Sequence, residues 1–262
     1  MKVVINQPTY LPWIGYFDLI DQANLFVVLD NVQFVKQSWQ QRNRIKTAAG
    51  LQWLTVPVVF RSRLGQLIKD VEIRDASFNR SHVRAIELAY RRTPYFRALS
   101  PEFLALLEQF SRGPLVDLNL SLIGWAMKIL GVTTPVIPAS SLGLPGKRTE
   151  LLAAICESVG AHQYLSPAGS ACYLLQEQSI LTSRGIEVLF HNYRHPEYKQ
   201  AFPPFEPFAS VIDLIFNYGP NSLRILREGR SEPYSIVEMS AMQNSIANQP
   251  ETGATISVPL AQ

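Results

Sequence analysis

Cysteine is scarce in this sequence: Cys156 and Cys172 are the only two in 262 residues. That is too few for a disulfide framework and suits a reducing cytosol. No stretch reaches the about 18 consecutive apolar residues that a spanning helix needs. The first residues run straight into an apolar pattern, without the basic segment and cleavage site of an export signal, so a cytoplasmic location is expected. Positive charge is also in short supply. A formal net charge of +3 is far from the dense basic stripe of a protein that tracks nucleic acid, so DNA is not an expected partner, and a small anionic ligand fits better. Histidine is rare, and no metal site is expected. His191 and His195 stand four apart, but residues 186–191 read as a strand and Pro196 blocks helix continuation. The glycine spacing of a phosphate-cradling loop is missing, no repeat is visible, and nothing specifies a cofactor.

What is present is a large apolar fraction, 47% of residues, enough for a sizeable core. Residues 2–6 and 25–30 read as strands, with a helix over 12–24 opened by Pro12. Strand, helix, strand within about 30 residues predicts a βαβ unit with parallel strands. Residues 31–50 are polar and basic and are expected to form a binding loop, before strand character returns over 51–60 and 71–73. Helical patterns follow at 79–92, 94–111 and 114–130. Strands at 134–138, 162–166 and 186–191 then alternate with helices at 147–159 and 170–182, and a last helix covers 210–217. The expected fold is α/β, a parallel-sheet Rossmann-like core in one domain over 1–234, with a helical insertion at about 79–131. Residues 235–262 lack an apolar period and are expected to be a disordered tail. Cys156 fits the apolar helical set of Leu151, Leu152, Ile155 and Val159 and is expected in the core, whereas Cys172 follows a glycine turn and is open to a reactive role.

Four stretches are distinctive. They are Asn6-Gln7-Pro8-Thr9-Tyr10-Leu11-Pro12-Trp13-Ile14-Gly15-Tyr16-Phe17-Asp18; Leu29-Asp30-Asn31-Val32-Gln33-Phe34 with Ser38-Trp39-Gln40-Gln41-Arg42-Asn43-Arg44-Ile45-Lys46; Gly146-Lys147-Arg148-Thr149; and His195-Pro196-Glu197-Tyr198-Lys199-Gln200 with Asp213. Together they resemble the WbqC-like family over roughly residues 1–220. The resemblance implies a setting among bacterial O-antigen and other surface-polysaccharide gene sets, but no assigned catalytic residues. In outline, Pro8-Thr9, Gly15-Tyr16, Phe26 to Asp30 and Gln33-Phe34 are also similar to pantothenate synthetase, a HIGH-type nucleotidyltransferase-like fold, although the histidine pair of such motifs is missing.

The same residues carry chemistry of their own. The turn from Gln7 to Gly15 leaves the carboxyl end of the first strand, where open α/β sheets bind ligands. Tyr10 and Trp13 are placed there to stack on a base or sugar ring. Asp30 ends the second strand, where its carboxylate can meet a hydroxyl, a metal or an amine, or serve as a loop cap. Gln33, Lys36, Arg42, Asn43 and Arg44 mix amides with forked cations, a set suited to a phosphorylated, polyhydroxylated ligand. Lys147 and Arg148 oppose the dipole of the helix they open unless an anion is near. His195 is the expected acid or base, with Tyr198 and Gln200 positioning substrate. His82 and His162 read as structural residues. Asp213 interrupts an apolar helix and is either partnered or functional. Tyr10, Asp30, Arg42 and His195 are expected to meet in one cleft. The leading expectation is a transferase acting on an activated or amino sugar, with an acyl or aminoacyl group as the cargo. The alternatives are a nucleotidyltransferase or adenylating ligase using ATP and magnesium, and a non-catalytic sugar-nucleotide-binding or scaffold protein.

Overall fold

Lys2–Asn6 (β1) is apolar at every central position, and Val3, Val4 and Ile5 are all buried. A strand of that kind is covered on both faces, which is the environment of a parallel sheet. In the computed structural model, which describes residues 1–59, 65–110 and 112–247, β1 lies near the middle of six strands. Beside it on one side run Leu25–Val28 (β2) and, further on, Val136–Pro138 (β8); on the other run Gln163–Ser166 (β9) and Glu187–Phe190 (β10). All these pairings are parallel, and Tyr234–Ser235 (β11) closes the β10 edge antiparallel. The expected α/β, Rossmann-like sheet is therefore present.

The period of two along the strands sorts their side chains between two cores. Val4, Phe26, Val28 and Leu165 belong to one apolar cluster with helices Ile14–Asp21 (α1), Ser77–Tyr90 (α2), Phe96–Gln109 (α3), Leu115–Leu130 (α4) and Val211–Tyr218 (α8). Val3, Ile5, Val27 and Tyr164 face the other, with Arg148–Ser158 (α5), Ala171–Leu174 (α6), Ser179–Thr182 (α7) and Ile236–Ala247 (α10). Cys156 is buried in this second cluster, and burial raises its thiol to about 12, while Cys172 is exposed. Helix α4 stops at Gly131, whose φ of 76° lets the chain reverse while the Val132 amide donates to the Met127 carbonyl at 2.9 Å. Only glycine adopts that backbone without strain. Among the described residues no helix is long and apolar enough to cross a membrane.

Several expectations need correction. The polar stretch 31–50 is not all loop: Arg42–Thr47 (β3) pairs antiparallel with Gly50–Thr55 (β4) in a hairpin. Buried Asn43 and Lys46 conceal its strand alternation, because they occupy inward or covered positions with polar side chains. Short strands Val58–Val59 (β5), Glu72–Ile73 (β6) and Gly113–Pro114 (β7) form a separate small sheet. The single helix expected over 170–182 is two short ones, α6 and α7. The chain from Tyr234 is ordered through Ala247, since β11 pairs with Leu189 and Phe190 and Met239 of α10 is buried in the second cluster. Residues 248–262 of the expected tail lie outside the described residues. A chain ended at Pro233 is accordingly expected to melt roughly 5 °C below the full chain, because it loses the burial of a Met side chain and the edge pairing. An unchanged melting temperature would show that β11 and α10 add nothing to the fold.

Candidate active site

The chain runs from β1 outward through β2 and β8, then crosses back to lay β9 on the opposite side of β1. Loops leaving the carboxyl ends of β1 and β9 therefore diverge and open a crevice, the usual ligand position in such sheets. A cavity of about 160 Å³ lies there. Asn6, Gln7 and Thr9 enter it from the β1 exit, Pro167, Ala168 and Gly169 from the β9 exit, and His191 and Tyr193 from beyond β10. Trp13, Tyr16, Trp39 and Phe208 supply further aromatic wall, and Gln40 and Asn43 further amides.

The amides lock two segments together. Gln40 donates to the Gln7 side-chain oxygen at 2.7 Å, Asn43 donates to the Leu11 carbonyl at 2.7 Å, and Asn119 of α4 donates to the Gln40 carbonyl at 2.8 Å. The first βα turn is thus pinned to residues 38–43 by buried polar contacts, which hold geometry well when satisfied. Trp13 stands at the start of α1, edge-on to Tyr193 and Phe208 with centroids 5.6 and 5.3 Å apart. A side chain at position 15 would overlap its indole, so Gly15 is the residue that lets Trp13 lie flat over the helix start.

His191 is the base-bearing group of the cavity. Its Nε2 lies 2.7 Å from an oxygen of Asp18, a fully buried carboxylate on α1. A carboxylate accepts, so Nε2 donates to Asp18, and Nδ1 makes no protein hydrogen bond among the described residues. Asp18 also accepts from Gln22 at 2.6 Å and from Arg230 Nε at 2.8 Å. Arg230 reaches on to Asp21, which Arg227 grips through two bonds of 2.8 and 2.9 Å. Burial pushes the Asp21 carboxyl up, but the hydrogen bonds from Arg227 and Arg230 outweigh it and hold it below the usual range. The ring of His191 stacks on Tyr193 at 5.5 Å. In the sequence His191 is weighed only as a rejected metal partner of His195, and Asp18 is given no role. The available signal was an acid inside the apolar run Ile14 to Ile20, the same signal that drew attention to Asp213.

Of the residues expected at the site, Gln7, Trp13 and Asn43 line the cavity, and Tyr10, Asp30, Arg42 and His195 do not meet there. Tyr10 is buried with its hydroxyl 2.8 Å from His82 Nδ1. Asp30 accepts from the Ser140 amide and hydroxyl at 2.9 and 2.6 Å, fixing the turn after β8. Gln33 and Lys36 are exposed away from the cavity. Lys147 and Arg148 are exposed at the start of α5, and Arg148 pairs with Glu177 at 2.7 Å. His195 lies behind Trp13, stacked on it at 6.1 Å and enclosed also by Tyr198, Phe205 and Phe208. Its Nδ1 donates to the Pro196 carbonyl, and burial lowers its pKa to about 4, so it is neutral at pH 7. Among the described residues no group of three or more His, Cys, Asp or Glu is arranged to hold a metal.

Asp213 is partnered: Tyr198 and Gln200 donate to one of its oxygens at 2.9 and 3.0 Å. Burial raises its pKa to about 6, against the opposing pull of those hydrogen bonds. The folded state then binds the proton more tightly than the unfolded chain. Its favourable contribution is complete below the ordinary carboxyl pKa and is lost as pH rises through about 6. Asp213→Asn cannot titrate, so its stability relative to the wild type should rise by roughly 1 kcal/mol per pH unit between about pH 4 and 6 and then level off. Urea unfolding of both proteins across that range checks this, and parallel pH curves would refute it.

A mostly parallel sheet with helices on both faces defines a Rossmann-like α/β protein, with an imidazole paired to a buried carboxylate on the wall of its crevice. The chain belongs to the WbqC-like protein family, which it matches over residues 7–225. It is also 34% identical over 231 residues to the uncharacterized protein Rv1507c of Mycobacterium tuberculosis (strain ATCC 25618 / H37Rv), covering 87% of this chain and 99% of that protein. No solved structure matches it.

Proposed function

We propose that this protein is a transferase of surface-polysaccharide synthesis, in which the crevice binds a sugar and His191 takes a proton from the hydroxyl or amine that receives the transferred group. The observation that carries this reading is the His191–Asp18 pair at 2.7 Å on the wall of the cavity. A buried carboxylate that fixes one imidazole nitrogen leaves the other to act as a base, in the manner of an oriented catalytic histidine. The surrounding wall supports the sugar: aromatic faces stack on the ring's C–H surface, and the amides of Asn6, Gln7 and Gln40 suit hydroxyls. The polysaccharide setting rests on membership of the WbqC-like family.

The step balances without further groups. The acceptor oxygen or nitrogen bonds to the electrophilic carbon of an activated acyl donor as its proton passes to His191 Nδ1. The leaving group then departs with that proton returned from the imidazolium. His195 serves as a positioning residue, holding Trp13 from behind. The test is incubation of the protein with amino sugars, nucleotide-linked sugars and acyl donors, followed by mass spectrometry for acylated sugar. Product from the wild type but not from His191→Gln supports the reading. Ligand binding with no product over the whole panel would replace it with a binding or scaffold role.

A further inference from the structure

The β3–β4 hairpin carries an array that proton transfer does not use. Its register sets Arg44 opposite Trp53, and Arg42 lies two residues from Arg44 on the same face. The Arg42 guanidinium sits 4.4 Å from the Trp53 ring centroid and that of Arg44 5.4 Å. Arg44 also lies 5.7 Å from the centroid of Trp39, whose ring is 5.3 Å from that of Trp53. Trp39 lines the cavity, so the array begins where the crevice ends.

Two features of this array point to a ligand-binding role. Trp53 is 43% exposed, an unusual position for an indole, which buries a large apolar area when it can. Arg44 is half-buried, its Nε is sealed from solvent without an acceptor, and it forms no ion pair among the described residues. The acid whose charge favours it, Glu206, is engaged by buried Lys46 at 3.1 Å. Removing a guanidinium from water without an anion is costly, and the fork is shaped for the paired oxygens of a phosphate. Adjacent to that fork, an exposed indole offers a face to another planar ring. A molecule combining a planar base with vicinal phosphates satisfies both.

We propose that the hairpin face binds a nucleoside diphosphate, with the base stacked on Trp53 and the diphosphate gripped by Arg44 and Arg42, as the handle of a nucleotide-linked sugar. Placement of the attached sugar in the crevice past Trp39 rests on the reading given under Proposed function; the nucleotide site itself does not. Calorimetric titration of the full chain with UDP, ADP and inorganic pyrophosphate tests it. Trp53→Ala should weaken UDP or ADP roughly 10-fold, the scale of one base–aromatic stack, and leave pyrophosphate unchanged. Arg44→Gln should weaken all three by at least about 10-fold, with Arg44→Lys falling between it and the wild type. His191→Gln should bind UDP and ADP like the wild type, so that failure of the proton-transfer reading leaves this result standing. Melting curves confirm that each variant is folded, and Arg44→Lys substitutes for Arg44→Gln if the latter is not. The proposal is overturned if the wild type binds neither nucleotide at millimolar concentration, if Arg44 and Trp53 variants bind like the wild type, or if His191→Gln abolishes nucleotide binding.

Discussion

His191→Gln is expected to lower turnover by roughly 10²- to 10⁴-fold, the usual contribution of a positioned acid or base, while the melting temperature stays near that of the wild type. Gln keeps an N–H that can donate to Asp18 but has no basic nitrogen for the substrate. Asp18→Asn should lose turnover too, and stability with it. That carboxylate accepts from His191, Gln22 and Arg230 with no exposure to solvent, and removing its charge leaves Arg230 without that counterion. Rates on the substrate found by mass spectrometry, with thermal melts of both variants, separate the two effects. A His191→Gln protein as active as the wild type would end the general-base assignment.

Phe216→Ala is expected to cost about 3–5 kcal/mol, among the largest effects of any single truncation in this fold. Phe216 is fully buried on α8 and meets Phe96, Tyr90, Phe103 and Trp125 at centroid separations of 5.0, 5.5, 5.7 and 6.2 Å. Its partners come from α2, α3 and α4, so the ring ties α8 to the helices inserted between β2 and β8. Neighbours on three helices cannot all collapse into one void, which puts the cost toward the cavity-forming end of the range. The melting temperature should fall by roughly 10 °C. Urea unfolding would show the midpoint drop with little change in slope, and a loss under about 1 kcal/mol would mean that the cluster repacks.

Elements whose signals are local are legible in the residue pattern alone. Continuous apolar runs at β1 and β2 demand two covered faces, and the alternation of strand patterns with helical ones specifies a parallel α/β sheet. The residue pattern also pointed to Gln7 and Trp13, because the exit of the first strand is a ligand position in any fold of this kind, and to Asn43 as an amide among the cations of residues 33–46. Arg42 and Arg44 were legible as cations among amides and an aromatic, but not as members of a strand, since the polar residues between them conceal its period. Which polar groups meet is set by packing between distant elements. Asp18 and His191 are 173 residues apart, and they pair because β10 lies on the far side of β9 from β1, bringing its exit over the polar face of α1. His195 looked like the base because it stands among polar neighbours in the chain; in space its neighbours are Trp13, Tyr198, Phe205 and Phe208, whose burial of the ring takes away its charge at neutral pH. Strand order and the partners of a buried polar group are set by long-range packing, which local residue patterns do not encode.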